Sequence, residues 1–168
     1  MKRLLFLLDD VDDAERAFRA VTKVTEPGDR VAVLAVVGQP GNLIVGSRPQ
    51  VTTNFYVPPQ GLAAPRTGTE APAYETDEDV QARVSGEVLE KLAGPTEILR
   101  QHGLDAFCRV IVRDEPGGAV DAWARDEQPT QVAVMKGAWR RLRRALRHDG
   151  GRSALLEGDI APVMALPK

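Results

Sequence analysis

The stretch LLFLLDDVDDAERAFRAVTKVTEPGDRVAVLAVVG, Leu4 to Gly38, decides the fold. LLFLL (4–8) is an unbroken apolar run that stops at Asp9-Asp10. Strict alternation would mark a strand with one wet face. A short unbroken run bounded by acids marks a strand buried on both faces, as in a parallel sheet. Asp12-x-x-Glu15 reads as a capping-box start, and acids suit the positive end of a helix. Ala14, Ala17, Phe18, Val21 and Val24 then recur at helical spacing. Pro27-Gly28-Asp29 ends that helix as a turn. RVAVLAVVG (30–38) is a second buried strand. Strand, helix and strand in so short a span form a βαβ unit, with a parallel pair and a right-handed crossover.

The remaining chain extends this unit. From Gln39 to Asp77 the composition changes: six prolines and many threonines exclude a regular helix or a central strand. An insert of this length is either functional or mobile, and it could cover a cleft or meet a partner. Glu78 to Gly103 is predicted helical, with Val80, Val84, Val88, Leu89 and Leu92 on one face. Gly94-Pro95 is expected to interrupt it, and Gly103 to cap it. DAFCRVIV (105–112), QVAVM (131–135) and PVMALP (162–167) read as strands. AVDAWARDE (119–127) and SALLE (153–157) read as helices. The whole order predicts one domain over 1–168, an α/β fold with a five-stranded parallel doubly wound sheet and helices on both faces.

Composition narrows the function. The 168 residues carry a net charge of −2, so nucleic-acid binding has no global electrostatic support. One cysteine, Cys108, excludes an internal disulfide framework, and it is expected to be an inert core thiol. The two histidines, His102 and His148, do not suggest a zinc site. No apolar run reaches the ~20 residues that span a bilayer, and LLFLL is too short for a signal peptide. A cytoplasmic location is expected. Ser153 has no base partner in sequence, and no constellation for nucleophilic or acid–base catalysis appears. The chain is therefore expected not to be an enzyme.

The order of elements, with these residues, resembles the universal stress protein family, of the adenine nucleotide alpha hydrolase-like type. Asp9 matches the family's strand-end aspartate. IVRDEPGGAVDAW (111–123) looks like its strand–turn–helix. VAVM (132–135) followed by a basic stretch, and APVMALP (161–167), match its C-terminal half. The resemblance implies a homodimer paired through the last strand, and a cleft that in some members holds ATP through glycines spaced Gly-x2-Gly-x9-Gly-Ser/Thr. Anchored at Met135 and at Pro162-Val163, those positions fall on Lys136, Trp139, Asp149 and Gly150, and none of the signature is present. Sliding by one residue gives Gly137, Arg140, Gly150 and Gly151. The first register is preferred because both ends agree on it. A Trp is too bulky for a tight anion cradle, and an Asp repels phosphate. If ATP or AMP binds at all, the resemblance places its contacts at Asp9, Val37, Met135, Lys136, Gly137, Arg140, Gly150, Gly151 and Arg152. Lys136, Arg140 and Arg152 would then supply side-chain charge for the missing backbone donors.

Two other readings stay open. On a helix, Trp139, Leu142, Ala145 and Leu146 form an apolar stripe, and Arg140, Arg141, Arg143, Arg144 and Arg147 cover the rest. That is a solvated basic face, an anion site, or a surface for an acidic protein partner. A membrane is disfavoured because the core needs the apolar stripe. The cluster Asp9, Asp10, Asp12 and Asp13 also fits a degenerate response-regulator receiver holding Mg²⁺, with Asp114 as phosphoacceptor. But Met135-Lys136 lacks the expected hydroxyl, and Lys168 is a poor substitute for the receiver lysine. PVMALP, if unpaired, would be an apolar sheet edge, which independently favours association.

Overall fold

The computed structural model describes residues 1–38, 76–113, 115–147 and 151–167. The elements are β1 (Arg3–Leu8), α1 (Ala14–Thr22), β2 (Arg30–Val37), α2 (Asp77–Gln101), β3 (Asp105–Val112), α3 (Gly117–Glu127), β4 (Gln131–Met135), α4 (Trp139–Ala145), α5 (Ala154–Glu157) and β5 (Val163–Leu166). The five strands form one parallel sheet in the order β3-β2-β1-β4-β5. The doubly wound α/β expectation is therefore met.

The double burial of β1 explains the layers. Leu4, Phe6 and Leu8 point to one face and join Phe18 and Val21 of α1 and Leu92 and Leu99 of α2. Leu5 and Leu7 point to the other and join Val120 and Trp123 of α3, Leu142 of α4, and Leu146 and Leu155. Phe6 and Phe18 meet edge to face with ring centroids 6.2 Å apart, a favoured aromatic geometry.

Four local expectations need correction. The capping box at Asp12 is absent. Helix α1 starts at Ala14 behind Asp13, whose side chain caps nothing, and Asp10 instead accepts a hydrogen bond from the Asp12 amide at 3.0 Å. The true capping box is on α2, where Thr76 accepts from the Asp79 amide and Asp79 accepts from the Thr76 amide. Second, α2 is not interrupted at Gly94-Pro95; it runs through Pro95. Proline removes one helical donor, but Leu92, Thr96 and Leu99 on the buried face hold the helix against the sheet on both sides of it. Third, Leu89 lies off that face and is 42% exposed. Fourth, Cys108 is only half-buried, because β3 is an edge strand. Its thiol contacts the Thr96 hydroxyl at 3.2 Å, and burial still pushes its pKa up.

The turn at Pro27-Gly28-Asp29 is anchored from several directions. Asp29 accepts hydrogen bonds from the amides of Lys2, at 2.7 Å, and Glu26, at 3.0 Å. These two donors hold its carboxyl below the usual range. Gly103 ends α2 with φ +80°, as the sequence suggested, and a Cβ there would lie 3.1 Å from the Pro27 Cβ. Residues 39–75 of the proline-rich insert lie outside the described residues.

Gly94 offers a test of the continuous helix. A Cβ at this position meets nothing within 4 Å, so Gly94→Ala is expected to raise the unfolding free energy by about 0.5–1 kcal/mol. Urea titration should show a higher midpoint at unchanged slope. A lowered midpoint would mean that the helix does not continue through Gly94-Pro95.

Candidate functional site

In a doubly wound sheet, ligands bind outside the carboxyl ends of the strands, where the winding direction reverses. Here that point lies between β1 and β4, since β2 and β3 extend the sheet on one side and β5 on the other. A cavity of about 230 Å³ occupies it. Leu8 and Asp9 bring β1 to its floor, Met135, Gly137 and Ala138 come from the end of β4, and Asp10, Asp13, Arg16 and Ala17 come from the start of α1. Arg141 of α4 closes it. A shallower groove of about 400 Å³ shares Asp13 and Arg16 and runs along α1 to Pro167.

The central feature is the pair Asp9–Arg141. Asp9 is only 6% exposed, and its Oδ2 meets an Arg141 guanidinium nitrogen as an ion pair. The same oxygen accepts no well-aligned hydrogen bond, so the pair is matched in charge more than in direction. Burial pushes the Asp9 pKa above its usual 3.8, and Arg141 pulls the other way without cancelling it. The side chain of Arg141 is 58% exposed, so its attraction is partly screened by solvent. Of the charged side chains lining the cavity, three are carboxylates (Asp9, Asp10 and Asp13) and two are arginines. A polyphosphate entering it would face net repulsion.

The sequence-predicted contacts divide. Asp9, Met135 and Gly137 line the cavity. Val37 does not: it is buried at the end of β2, and its carbonyl accepts from the Arg113 amide at 3.2 Å. Lys136 and Arg140 are exposed and do not line it. Arg152 turns to Glu157 at 3.8 Å. Gly151 is exposed, and Gly150, with His148, Asp149, Asp114 and Lys168, lies outside the described residues. The cation that reaches the strand-end aspartate is Arg141, one residue beyond Arg140. The next residue of α4, Leu142, is buried and fixes which arginine faces the cleft. An apolar stripe in sequence locates the helix face but not which flank meets β1.

The loop after β4 is short. The Ala138 amide bonds the Met135 carbonyl at 2.8 Å, and α4 begins at Trp139. Trp139 packs against the second core, as its apolar position suggested. Anion nests use successive amides in alternating hands of helix. The left-handed glycines among the described residues are Gly28, Gly103 and Gly158, none of which lines the cavity. Sequence reasoning also missed Asp121. This buried carboxylate accepts from the Ser153 hydroxyl at 3.0 Å and from the amides of Ala154 and Leu155. Ser153 thus has a structural partner, which ties the start of α5 to α3.

Two solved structures align with almost the whole chain. A hypothetical protein, PH0823, superposes with a TM-score of 0.52 at 16% identity, covering 99% of this chain and 96% of that one. A protein of the universal stress protein family from Burkholderia pseudomallei superposes with a TM-score of 0.51 at 14% identity, with the same coverage, 99% and 96%. No protein-family model and no curated protein sequence matches the chain. At these identities the likeness is one of fold: this chain has the universal stress protein fold.

Asp9 and Asp29 should affect acid stability in opposite senses. The folded state holds the Asp9 proton more tightly than the unfolded chain does, so ionising it costs stability as pH rises from 3.8 through the folded value. Asp29 contributes stability that is complete above the unfolded value, 3.8, and is lost as pH falls through its lower folded value. Urea unfolding should therefore find Asp9→Asn at least as stable as the parent at neutral pH, with the difference vanishing in acid. Asp29→Asn should be less stable at neutral pH, with a deficit that shrinks in acid. An Asp9→Asn variant much weaker than the parent at neutral pH would show that Arg141 more than offsets the burial.

Proposed function

We propose that this chain is a stress-response binding or signalling module of the universal stress protein kind, in which an internal ion pair has taken the place of bound nucleotide. It acts in the cytoplasm as a homodimer, and not as an enzyme. The observation that carries the reading is the Asp9–Arg141 pair at the β1/β4 switch point. A guanidinium stands beside the strand-end carboxylate, among further acids, and among the described residues no left-handed glycine lines the site. The absence of catalytic machinery in the sequence agrees with a binding role. Among the described residues, no helix is long and apolar enough to cross a membrane.

Dimerisation is assigned to β5, the edge strand beside β4. The carbonyls of Pro162 and Leu166 accept from the Val132 and Lys136 amides of β4. Backbone direction alternates along a strand, so Val163 and Ala165 offer their amides and carbonyls outward. An unpaired edge of this kind is a template for a second strand. Ala165 is exposed, so Ala165→Pro removes an outward donor and leaves the β4 ladder intact. Light scattering is expected to find the parent as a dimer and Ala165→Pro as a monomer. A variant that remains dimeric would move the interface elsewhere.

Nucleotide use is tested by isothermal titration of the full chain with ATP and with AMP, each with and without Mg²⁺. The magnesium arms are needed because a hard cation could bridge the carboxylates to phosphate. No heat is expected at millimolar nucleotide. Micromolar binding that is lost in Arg140→Ala would overturn the reading in favour of a nucleotide switch built on Lys136, Arg140 and Arg152.

A further inference from the structure

The arginines of the basic segment separate into two sets. Arg141 is held by Asp9, and Arg143 by Glu157 at 3.3 Å. Lys136, Arg140, Arg144 and Arg147 are exposed, and none has an acidic partner among the described residues. Some surface arginines elsewhere meet acids, Arg19 with Glu15, Arg83 with Glu87 and Arg100 with Glu97. Others, such as Arg3 and Arg125, stand singly among the described residues; what sets this segment apart is four unpaired cations close together in sequence. The four free cations are also in register. Lys136, Arg140 and Arg144 follow one another at four-residue steps, with Arg147 three further on. Positions four apart share a helix face. Arg140 and Arg144 lie on one face of α4; Lys136 lies in the turn after β4, three residues before the helix begins, and Arg147 lies two residues past its last residue. Like charges so placed weaken a helix, and α4 tolerates them because Leu142 and Ala145 are buried.

We propose that the row Lys136, Arg140, Arg144 and Arg147 is a docking surface for an extended acidic segment of a partner protein. The spacing suits this occupant. Four helical residues rise about 6 Å, close to the roughly 6.6 Å covered by two residues of an extended chain. Carboxylates at alternate positions of such a segment would therefore meet Arg140 and Arg144, with Lys136 and Arg147 flanking them in sequence. Two other anionic partners fit less well. Single-stranded nucleic acid uses aromatic stacking beside charge, but Trp139 is half-buried against the second core, and the exposed large apolar residues described are Met1 and Leu89, neither aromatic. A membrane-surface helix needs its apolar face for lipid, and here that face is buried in the core. None of these four cations lines the cleft, and the proposal rests on the reading above that nucleotide does not engage Lys136 and Arg140.

The test is fluorescence anisotropy of the full chain with a labelled peptide of repeating Glu-Ser dipeptides. A control peptide has the same composition with its glutamates in one block. The alternating peptide should bind more tightly than the block peptide, and binding should fall steeply with added salt. Arg140→Glu with Arg144→Glu should weaken it by roughly tenfold or more. Arg125→Glu, an exposed charge reversal on α3, should change it little. Equal binding of the two peptides, or no binding, overturns the proposal. Tighter, Arg140-dependent binding of a thymidine oligonucleotide or of phosphatidylserine vesicles overturns it too, and reassigns the surface to that polyanion.

Discussion

The structure depends on the burial of β1 from both sides. Its residues feed two separate cores, alternately, and it hydrogen-bonds to β2 on one side and β4 on the other. A five-residue apolar run with no polar break has no stable place at a wet surface. Once it is central, α1 and α2 must cover one face and α3, α4 and α5 the other. The crossovers then leave β1 in opposite directions, and a cleft opens where they part. Asp9 is the first polar residue after this strand, so its position on the cleft floor follows from the same constraint.

That position sets the chemistry. A carboxylate drawn into the end of a buried strand loses hydration and requires a cation. In this chain the cation comes from α4. An arginine of the chain itself thus meets this buried acid at the floor of the cleft. The acids at the start of α1 add to the negative lining. The cationic character of the basic segment is thereby divided. One arginine meets Asp9 and completes the cleft, while Lys136, Arg140, Arg144 and Arg147 are exposed to solvent.

The sequence made most of the fold legible because it is written in short apolar runs. The limits of β3 and β4 were read correctly, and those of the other strands to within a residue. Helices were read less well where tertiary packing overrode local signals. Pro95 is a helix breaker in isolation, yet Leu92 and Leu99 on either side of it pin α2 to the sheet. Asp12 looked like a cap, but the chain leaving β1 turns for one residue more before α1 begins. For the site, Asp9 was legible as the strand-end acid, and Gly137 as the glycine after β4. Arg141 was not, because neighbouring arginines in one basic run are equivalent until packing fixes the rotation of the helix. Asp121 was hidden for a related reason: its partners at Ser153 to Leu155 are more than thirty residues away.

The ion-paired cleft is the central claim, and a carbon-13 NMR titration of the Asp9 carboxyl tests it most directly. In the full chain its midpoint should lie above 3.8, because burial outweighs the attraction of Arg141. In Arg141→Ala it should rise further, since the opposing positive charge is gone. A midpoint at or below 3.8 in the parent would mean that burial does not dominate at this carboxylate, and a midpoint that does not respond to the loss of Arg141 would mean that this guanidinium does not meet it.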